Sequence, residues 1–298
     1  MRVFVTGATG FIGSEITREL IENGHQVLGL TRSDAGVKSL AAAGAQVHRG
    51  DLEDLESLRT GAANADAVIH TAFVHDFSRF KEICEIDRRA IQALGSALVG
   101  SDKLLIVTSG TGMSRAGLGV TATEDDPKAS SEVIPRAATE EAADVLTEQG
   151  VRVAIMRLPQ VHDTVKQGLV TPAIQVAREK GMAAYIGDGL NRWPAAHRFD
   201  VSHLYCLALE RGEGGVRYNA VAEEGVSARE IAEAIGRGLK VPVISITPEE
   251  APAHFGWLSN FAAWDMPASS AKTREKLGWT PTGPTLLTDL SNMDFFPA

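Results

Sequence analysis

Three glycines follow the first apolar segment of the chain and constrain its fold more than any other feature. Residues 3–13 read VFVTGATGFIG, with Gly7, Gly10 and Gly13 at every third position, and a helical pattern continues to about Asn23. A strand that ends in a tight glycine turn directs the free N–H groups and the positive dipole end of the next helix toward one point. Gly7 permits the turn, Gly10 lets phosphate approach the backbone, and Gly13 lets the helix pack against the strand. The pattern therefore predicts a dinucleotide site with its pyrophosphate at this turn.

Short apolar segments alternate with helical patterns over the first 160 residues. The segments predict strands at 26–30, 45–49, 65–70, 103–109 and 151–157, and helices at about 34–43, 54–61, 78–99 and 136–149. Near-continuous apolar strands between helices are typical of a parallel sheet that is covered on both faces. We therefore predict the α/β fold class, with a doubly wound parallel sheet of the Rossmann type.

The alternation becomes irregular after about residue 160, where a smaller C-terminal substrate lobe is predicted. Helices are expected at about 168–181, from Val201 and at 227–238, with strands at 216–221 and 241–246. We assign residues 1–160 to the dinucleotide-binding domain, with about 198–220 returning to it, and residues 161–197 and 221–298 to the substrate-binding lobe. The helix-poor segments 110–134 and 186–199 are predicted to be lids or substrate loops.

Composition narrows the partners that the chain can have. The net charge is −9 with no long basic run, so neither nucleic acid nor a membrane surface is an expected partner. The chain has no apolar run long enough to span a bilayer and no leader pattern before the first strand, so we expect a cytoplasmic protein with a small-molecule substrate. Cys84 and Cys206 lack metal-ligand spacing and are expected to be buried, and no metal is predicted. A homodimer is possible.

Seven segments, in order, resemble the extended or atypical short-chain dehydrogenase/reductases of the NAD-dependent epimerase/dehydratase type. They are TGATGFIG (6–13), GDLED (50–54), HTA (70–72), VTSG (107–110), RLPQVHD (157–163), RFDVSHLYCLAL (198–209) and REKLGWTPT (274–282). The resemblance implies that Asp51 contacts the adenine, that 70–72 lines the cofactor, and that Ser109 is the active-site serine. It also implies that 157–163 flanks the nicotinamide.

The chain departs from this family where the proton-transfer residues belong. Family enzymes carry Tyr-x-x-x-Lys on the helix after the serine strand, and this chain reads PRAATEEAADV at 135–145, with Arg136 and Glu140 at those two positions. Two interpretations stay open at this stage. The two side chains, four residues apart on one helix face, form an ion pair, or Arg136 binds a substrate oxyanion or Glu140 contacts the ribose.

Loss of the positioned acid disfavours simple ketones and alcohols, because an acid contributes about 10²–10⁴-fold to such reactions. The leading hypothesis is a nicotinamide-dependent oxidoreductase that acts on a quinone-like, enone or aromatic polyketide-like carbonyl. The second is reduction-linked hydroxylation of an aromatic natural product, and the third is a non-catalytic NAD(P) sensor. The catalytic candidates are Ser109, as oxyanion donor or only a strand cap, together with His75 and Arg136.

The end of the second predicted strand favours NADP, with NAD possible. Thr31 stands where an acidic residue would accept from the ribose 2′-OH, and Arg32 and Ser33 beside it suit a 2′-phosphate. Asp34 is expected to cap the next helix. The residues assigned to the cofactor are Gly7, Thr9, Gly10, Phe11, Ile12, Gly13, Arg32, Ser33, Asp51, Leu52, Thr71, Ala72, Phe73, Thr108 and Pro159.

Aromatic, histidine and arginine side chains in the loops suggest substrate contacts. A Pro/Gly loop at 187–200 concentrates such side chains, which suits an aromatic or anionic ligand. The residues assigned to substrate binding are Phe77, Gly110, Thr111, His162, Arg192, Trp193 and His197. His70 is expected to pack, and the aromatic run at 254–264 is expected to serve the core or a dimer contact.

Overall fold

The structure is a computed structural model that describes residues 1–114 and 119–296, with the side chain of Phe77 outside the description. Its strands are β1 (Arg2–Thr6), β2 (Gln26–Thr31), β3 (Gln46–Arg49), β4 (Ala67–His70), β5 (Leu104–Gly110), β6 (Arg152–Leu158), β7 (Gln160–His162), β8 (Ala183–Ile186), β9 (Arg192–His197), β10 (Arg217–Asn219), β11 (Glu223–Ser227) and β12 (Val243–Ile246).

Helices connect most of these strands. They are α1 (Gly13–Glu22), α2 (Asp34–Ala42), α3 (Leu55–Ala63), α4 (Phe80–Ser96), α5 (Ala138–Glu148), α6 (Val170–Lys180), α7 (Arg198–Arg211), α8 (Ala228–Leu239), α9 (Ala251–Phe255), α10 (Ser259–Ala262), α11 (Ala271–Leu277) and α12 (Leu286–Asn292). Short 3₁₀ turns add Phe77–Arg79, Thr111–Met113, Pro135–Ala137 and Gly256–Leu258.

A seven-stranded parallel sheet in the order β10-β6-β5-β4-β1-β2-β3 forms the centre of the molecule. One face is buried beneath α1 and α7, and the other beneath α3, α4 and α5. The strand order reverses between β1 and β4, and a crevice opens at the carboxyl ends of strands at such a point. The predicted fold class is confirmed, and the glycine turn after β1 lies at this crevice.

The residues after β6 build two smaller sheets. Strands β11, β9 and β7 form one sheet and β12 pairs with β8 in the other, packed against α6, α8 and α12. Strand β10 returns to the main sheet beside β6, and α7 packs on α1. The exact division into two lobes stays a prediction.

Of the segment 187–200, predicted to be a loop, only residues 187–191 are irregular, and the rest is strand β9 followed by the start of α7. Its glycines and Pro194 favoured a loop, yet Pro194 lies where the pairing between β9 and β11 shifts register, between Glu223 and Val226. A proline is tolerated at such an irregularity because no ladder hydrogen bond is required of it. In the described residues, no helix is long and apolar enough to cross a membrane.

Candidate functional site

The three glycines after β1 play different parts in the turn. Gly7 has φ +70°, and a Cβ there would lie 2.7 Å from Thr71 Oγ1 and from the Ala72 amide nitrogen. A Cβ on Gly13 would lie 2.1 Å from the Gly7 carbonyl oxygen. A Cβ on Gly10 would meet only that same oxygen, at 3.2 Å, and Gly10 is exposed. Gly7 and Gly13 are therefore required by the protein's own packing, whereas Gly10 borders open space.

The turn is locked to the end of β4 and leaves a helix amino terminus facing the crevice. Thr71 Oγ1 donates to the Thr6 carbonyl at 2.8 Å. Ile12, at the N-cap of α1, makes no side-chain capping bond. An uncapped helix start with a wide approach at Gly10 fits a diphosphate group. The predicted cofactor residues Gly7, Gly13, Thr71 and Ala72 thus lie together.

Two cations lie over Phe11, which follows Gly10. The Arg198 guanidinium is 5.2 Å from the ring centroid and Lys166 Nζ is 5.9 Å from it. Arg198 is held at 2.8 Å by both Glu15 and Asp163. Sequence reasoning did not assign Lys166 to the site, because it belongs to none of the recognised segments and only the tertiary structure brings it near the glycine turn.

The end of β2 carries a second basic group. Ser33, not Asp34, caps α2, because its side chain accepts from the Gly36 amide at 3.1 Å. The predicted capping role of Asp34 is therefore wrong. Asp34 is the first residue of the helix and pairs with Arg49 at the end of β3. The same Arg49 donates to the Arg32 carbonyl at 3.2 Å, so strand pairing adds an arginine that the sequence alone did not place beside Arg32.

The remaining cofactor candidates lie at strand ends along the same edge of the sheet. Asp51, after β3, accepts from the amides of Glu53 and Asp54 at 2.8 and 3.1 Å, and so shapes the turn into α3. Leu52 packs against the α3–α5 face. Thr9 is exposed and Pro159 is half-buried between β6 and β7.

Arg136 stands where the resemblance places the family tyrosine, and both of its terminal nitrogens donate to neighbouring residues. Nη1 donates to Asp87 Oδ2 at 2.7 Å and Nη2 to the Thr108 carbonyl at 2.8 Å. The guanidinium lies 4.2 Å from the centroid of the Phe73 ring. Asp87 also bonds His70 Nε2 at 3.0 Å. Although burial alone would raise the pKa of Asp87, Arg136 and His70 hold it below its ordinary value. His70 packs here, fully buried.

Glu140 stands at the family lysine position and is completely buried in a second network. It accepts from Arg157 at 2.9 Å on both oxygens, from Arg217 at 3.0 Å and from Ser109 Oγ at 2.9 Å. Burial would raise the pKa of Glu140, but the bonds from Arg157 and Arg217 hold it below the usual range. The possible ion pair between Arg136 and Glu140 does not form, because each side chain faces a different partner.

His75 and Phe73 border the cleft beyond β4. Their rings meet edge to face with centroids 5.5 Å apart. His75 is exposed on one side and packed against protein on the other. Partial desolvation of its ring, together with the positive charges of Lys166 and Arg136, lowers its pKa. The lowered pKa favours the neutral imidazole. Its catalytic role stays a prediction.

Only part of the predicted substrate set lies together. Gly110 and Thr111 extend from β5 beside β6, and Thr111 Oγ1 is 3.5 Å from the Leu158 carbonyl. Phe77 lies outside the described side chains.

The other four predicted substrate residues lie elsewhere. Trp193 is buried in the core of the smaller sheets, and Arg192 pairs with Asp265 at 2.9 Å. His162 and His197 are buried beside Asp289, with His162 Nδ1 2.7 Å from its carboxylate. Packing and ion pairing therefore occupy these side chains in the structure, and their direct contact with substrate stays a prediction.

Comparison with known proteins agrees with this fold. Residues 3–221 match the NAD dependent epimerase/dehydratase family, so the chain belongs to that family. Over 299 residues it is 49% identical to the uncharacterized protein C2A9.02 of Schizosaccharomyces pombe, which covers 99% of this chain and 100% of that one. The uncharacterized protein YLL056C of Saccharomyces cerevisiae is 44% identical, covering 97% of this chain and 98% of its own.

A solved structure shows the same fold. The UDP-glucose 4-epimerase of Thermus thermophilus, in complex with NAD, has a TM-score of 0.76 at 22% identity, with 99% of each chain covered. Family members include NAD-dependent oxidoreductases, epimerases and dehydratases. Within the described ranges, no group of three or more His, Cys, Asp or Glu side chains could hold a metal ion.

Proposed function

We propose that the protein is an NAD(P)-dependent reductase of activated carbonyl compounds, quinone-like or conjugated, and that it prefers NADP(H). The observation that carries this proposal is the environment of Arg136. At the place where the resemblance puts a proton-donating tyrosine, the chain holds a guanidinium fixed by Asp87 and Thr108 and lying against Phe73. An arginine does not release its proton in proteins, so it cannot replace the tyrosine as general acid.

The Ser109 hydroxyl does not make up for that loss. It donates to Glu140 at 2.9 Å and is buried, so its hydrogen already has a charged acceptor. A substrate whose reduced oxyanion is stabilised by conjugation needs little acid help. The expected substrates are therefore quinones and conjugated carbonyls rather than secondary alcohols or simple ketones.

When bound, the reduced nicotinamide supplies a hydride, which with one proton from water converts the carbonyl compound to its two-electron reduced product. The residues of the chain hold and screen the reactants. The turn at Gly10 and the α1 amino terminus suit the pyrophosphate, and Lys166 over Phe11 provides positive charge beside it, since Arg198 is already paired with two carboxylates. Arg136 and His75 both contact Phe73, which follows β4.

The preference for NADP(H) rests on Arg32 and Arg49. Arg32 is exposed after β2 and makes no ion pair within the described ranges, and Arg49 is fixed beside it through the Arg32 carbonyl and Asp34. Two guanidinium groups at this edge favour a 2′-phosphate, to which arginine can donate two parallel bonds.

A panel of carbonyl compounds tests the function. Nicotinamide oxidation is followed with 1,4-naphthoquinone, a conjugated enone and cyclohexanone, and the reverse reaction with cyclohexanol. We expect turnover with the first two and negligible turnover with the last two. Robust oxidation of cyclohexanol would contradict the proposal, and binding of NADPH without any turnover would favour a sensor.

The same panel under air and under nitrogen separates plain reduction from hydroxylation. Plain reduction should give equal initial rates of nicotinamide oxidation in both, and under air no more oxygen should be consumed than by autoxidation of the same hydroquinone added alone. Oxygen-dependent formation of a hydroxylated product would instead identify the reduction-linked hydroxylase.

A further inference from the structure

We propose that Phe80, Phe261, Trp264 and Met266 form an aromatic wall that binds a planar aromatic ring system as substrate. This inference rests on the proposed reductase function and names the substrate class of that site. The wall joins the segment after β4, through Phe80 at the start of α4, to residues 261–266 of the C-terminal part of the chain.

The wall stands beside the turn that follows the Ser109 strand. A Cβ added at Gly112 would lie 3.4 Å from Met266 Sδ and 3.9 Å from the Trp264 ring. The ring centroids of Phe261 and Trp264 are 5.3 Å apart, and those of Phe80 and Phe261 are 6.5 Å apart. The wall therefore lies beside the carboxyl end of β5, where ligands bind in doubly wound sheets, and Phe80 connects it to the segment that follows β4.

Two of the wall side chains, Phe261 and Met266, pack against the buried core of this region without being enclosed by it. Phe255, Leu258 and Ala262, on the same stretch of chain, are buried and form that core. Phe80, Phe261, Trp264 and Met266 are each half-buried, so each residue keeps part of its surface exposed to solvent. The aromatic run at 254–264, predicted to serve the core or a dimer contact, thus contains both fully buried core residues and half-buried wall residues.

The backbone behind the wall is clamped by Arg192 and Trp193. Arg192 donates to Asp265 through its amide at 2.8 Å and through Nε and Nη2 at 3.0 and 2.9 Å. Trp193 Nε1 donates to the Trp264 carbonyl at 3.2 Å, and the Met266 amide donates to the Arg192 carbonyl at 2.9 Å. We therefore assign Arg192 and Trp193 as positioning residues for the wall, in place of direct substrate contacts.

The chemistry of the wall selects a flat aromatic ligand. Three rings and a thioether offer polarizable apolar surface, and aromatic pairs gain from stacked or edge-to-face contact beyond their buried area. Such a surface offers few hydrogen bonds to the hydroxyl groups of a sugar. A fused aromatic quinone presents both a reducible carbonyl and a face that fits this wall.

Two vicinal diones with the same reacting group test the inference. 9,10-Phenanthrenequinone is planar and aromatic, and 2,3-butanedione is neither. We expect Trp264→Ala and Phe261→Ala to raise the KM for phenanthrenequinone by about tenfold or more, with a smaller change in kcat, and to leave the KM for butanedione within about twofold. Phe296→Ala, which truncates an exposed aromatic residue near the carboxyl terminus, is the matched control and should change neither.

The positioning role is tested with Arg192. Arg192→Ala should raise the KM for phenanthrenequinone selectively, and Arg192→Lys, which keeps a cation for Asp265, should recover part of the loss. An equal loss of activity toward both diones in Arg192→Ala, with no recovery in Arg192→Lys, would overturn the positioning role.

A binding measurement separates this inference from the proposed function. Quenching of tryptophan fluorescence by phenanthrene-9-carboxylate, which has no ketone to reduce, should weaken in Trp264→Phe and in Phe261→Ala. If no carbonyl is reduced but this binding depends on Phe261, the reductase proposal fails and the wall stands. If both diones are reduced with unaltered KM values in the variants, the wall is overturned while the reductase stands. Conversion of a dimer to a monomer by Trp264→Ala, with ligand binding unchanged, would also overturn it and assign the wall to an interface between copies.

Discussion

At the scale of single residues, different glycines of the turn serve the fold and nucleotide binding. We expect Gly10→Val to abolish nucleotide binding and leave the fold intact, because the new side chain enters the space open to phosphate and its Cβ meets only the Gly7 carbonyl, at 3.2 Å. Titration of NADPH and NADH by fluorescence, with circular dichroism on the same sample, measures both effects. Gly13→Ala is the contrasting variant and should unfold, since its Cβ would lie 2.1 Å from the same oxygen. Unchanged affinity in folded Gly10→Val would contradict the cofactor assignment.

The two arginines beside the β2 end give the second prediction. Arg32→Ala and Arg49→Ala should each weaken NADPH more than NADH, by about 1.5–3 kcal/mol for a lost charged hydrogen bond. Arg59→Ala, an exposed arginine on α3 paired with Glu56, is the control and should alter neither affinity. Equal losses for both nucleotides would show that the arginines steer charge without contacting a 2′-phosphate.

The third prediction distinguishes a structural role of Ser109 from a role as oxyanion donor. Because its hydroxyl donates to buried Glu140, Ser109→Ala should lower the free energy of unfolding by about 1.5–3 kcal/mol and reduce kcat/KM by less than tenfold. Urea unfolding and quinone reduction on the same preparation distinguish the roles. A fall in rate of about 10²-fold at unchanged stability would instead identify an oxyanion donor.

At the scale of elements, α5 is tied to β6 and β10 through one carboxylate. Glu140→Gln should destabilise the protein by about 3–5 kcal/mol, since it leaves Arg157 buried without its counter-charge. Glu148→Gln, at the exposed carboxyl end of the same helix, should cost less than about 0.5 kcal/mol. Equal midpoints of denaturation for the two variants would show that the buried network contributes little.

The elements show how far the sequence alone could predict this fold. All seven strands of the main sheet were predicted within two residues, because buried parallel strands are continuous apolar runs between helices. Strands β7 and β8 were not predicted because they have only three and four residues, and β9 and β11 were not predicted because Pro194 and Gly225 interrupt them.

Part of the candidate site could likewise be predicted from the sequence, and part could not. The glycine turn and the β4 end were predicted from local motifs. The partners of Arg136 and Glu140 could not be, since Asp87 and Arg217 lie 49 and 77 residues away in the chain and only the fold brings them near.

At the scale of the whole molecule, lowering the pH should reduce the free energy of unfolding in two stages. Burial lowers the pKa of His162 despite Asp289, so its stabilising contribution is complete above about pH 6.5 and is lost as the pH falls through its folded value. Asp87 and Glu140, whose pKa values are also lowered, contribute fully above about pH 4.5 and lose that contribution at lower pH. Glu223, whose pKa burial raises, opposes the first stage when it takes up its proton.

Urea unfolding at pH 8, 5.5 and 4 measures this profile. Each tenfold difference in proton affinity between the folded and the unfolded chain should change the free energy of unfolding by about 1.4 kcal/mol. His162→Gln should remove the first stage and leave the second. A stability that is flat from pH 8 to pH 4 would contradict both assignments.

The return of β10 to the main sheet has a consequence for the order of events during synthesis. The ribosome has made β6 by Leu158, yet the sheet waits for its last strand until Asn219. At about 5–20 residues per second, this interval lasts about 3–12 s. For most of it the apolar sheet face beside α1 lacks α7, its eventual cover, which is complete only at Arg211. The nascent chain thus presents an unfinished sheet edge and an open apolar face, a window in which a chaperone can bind.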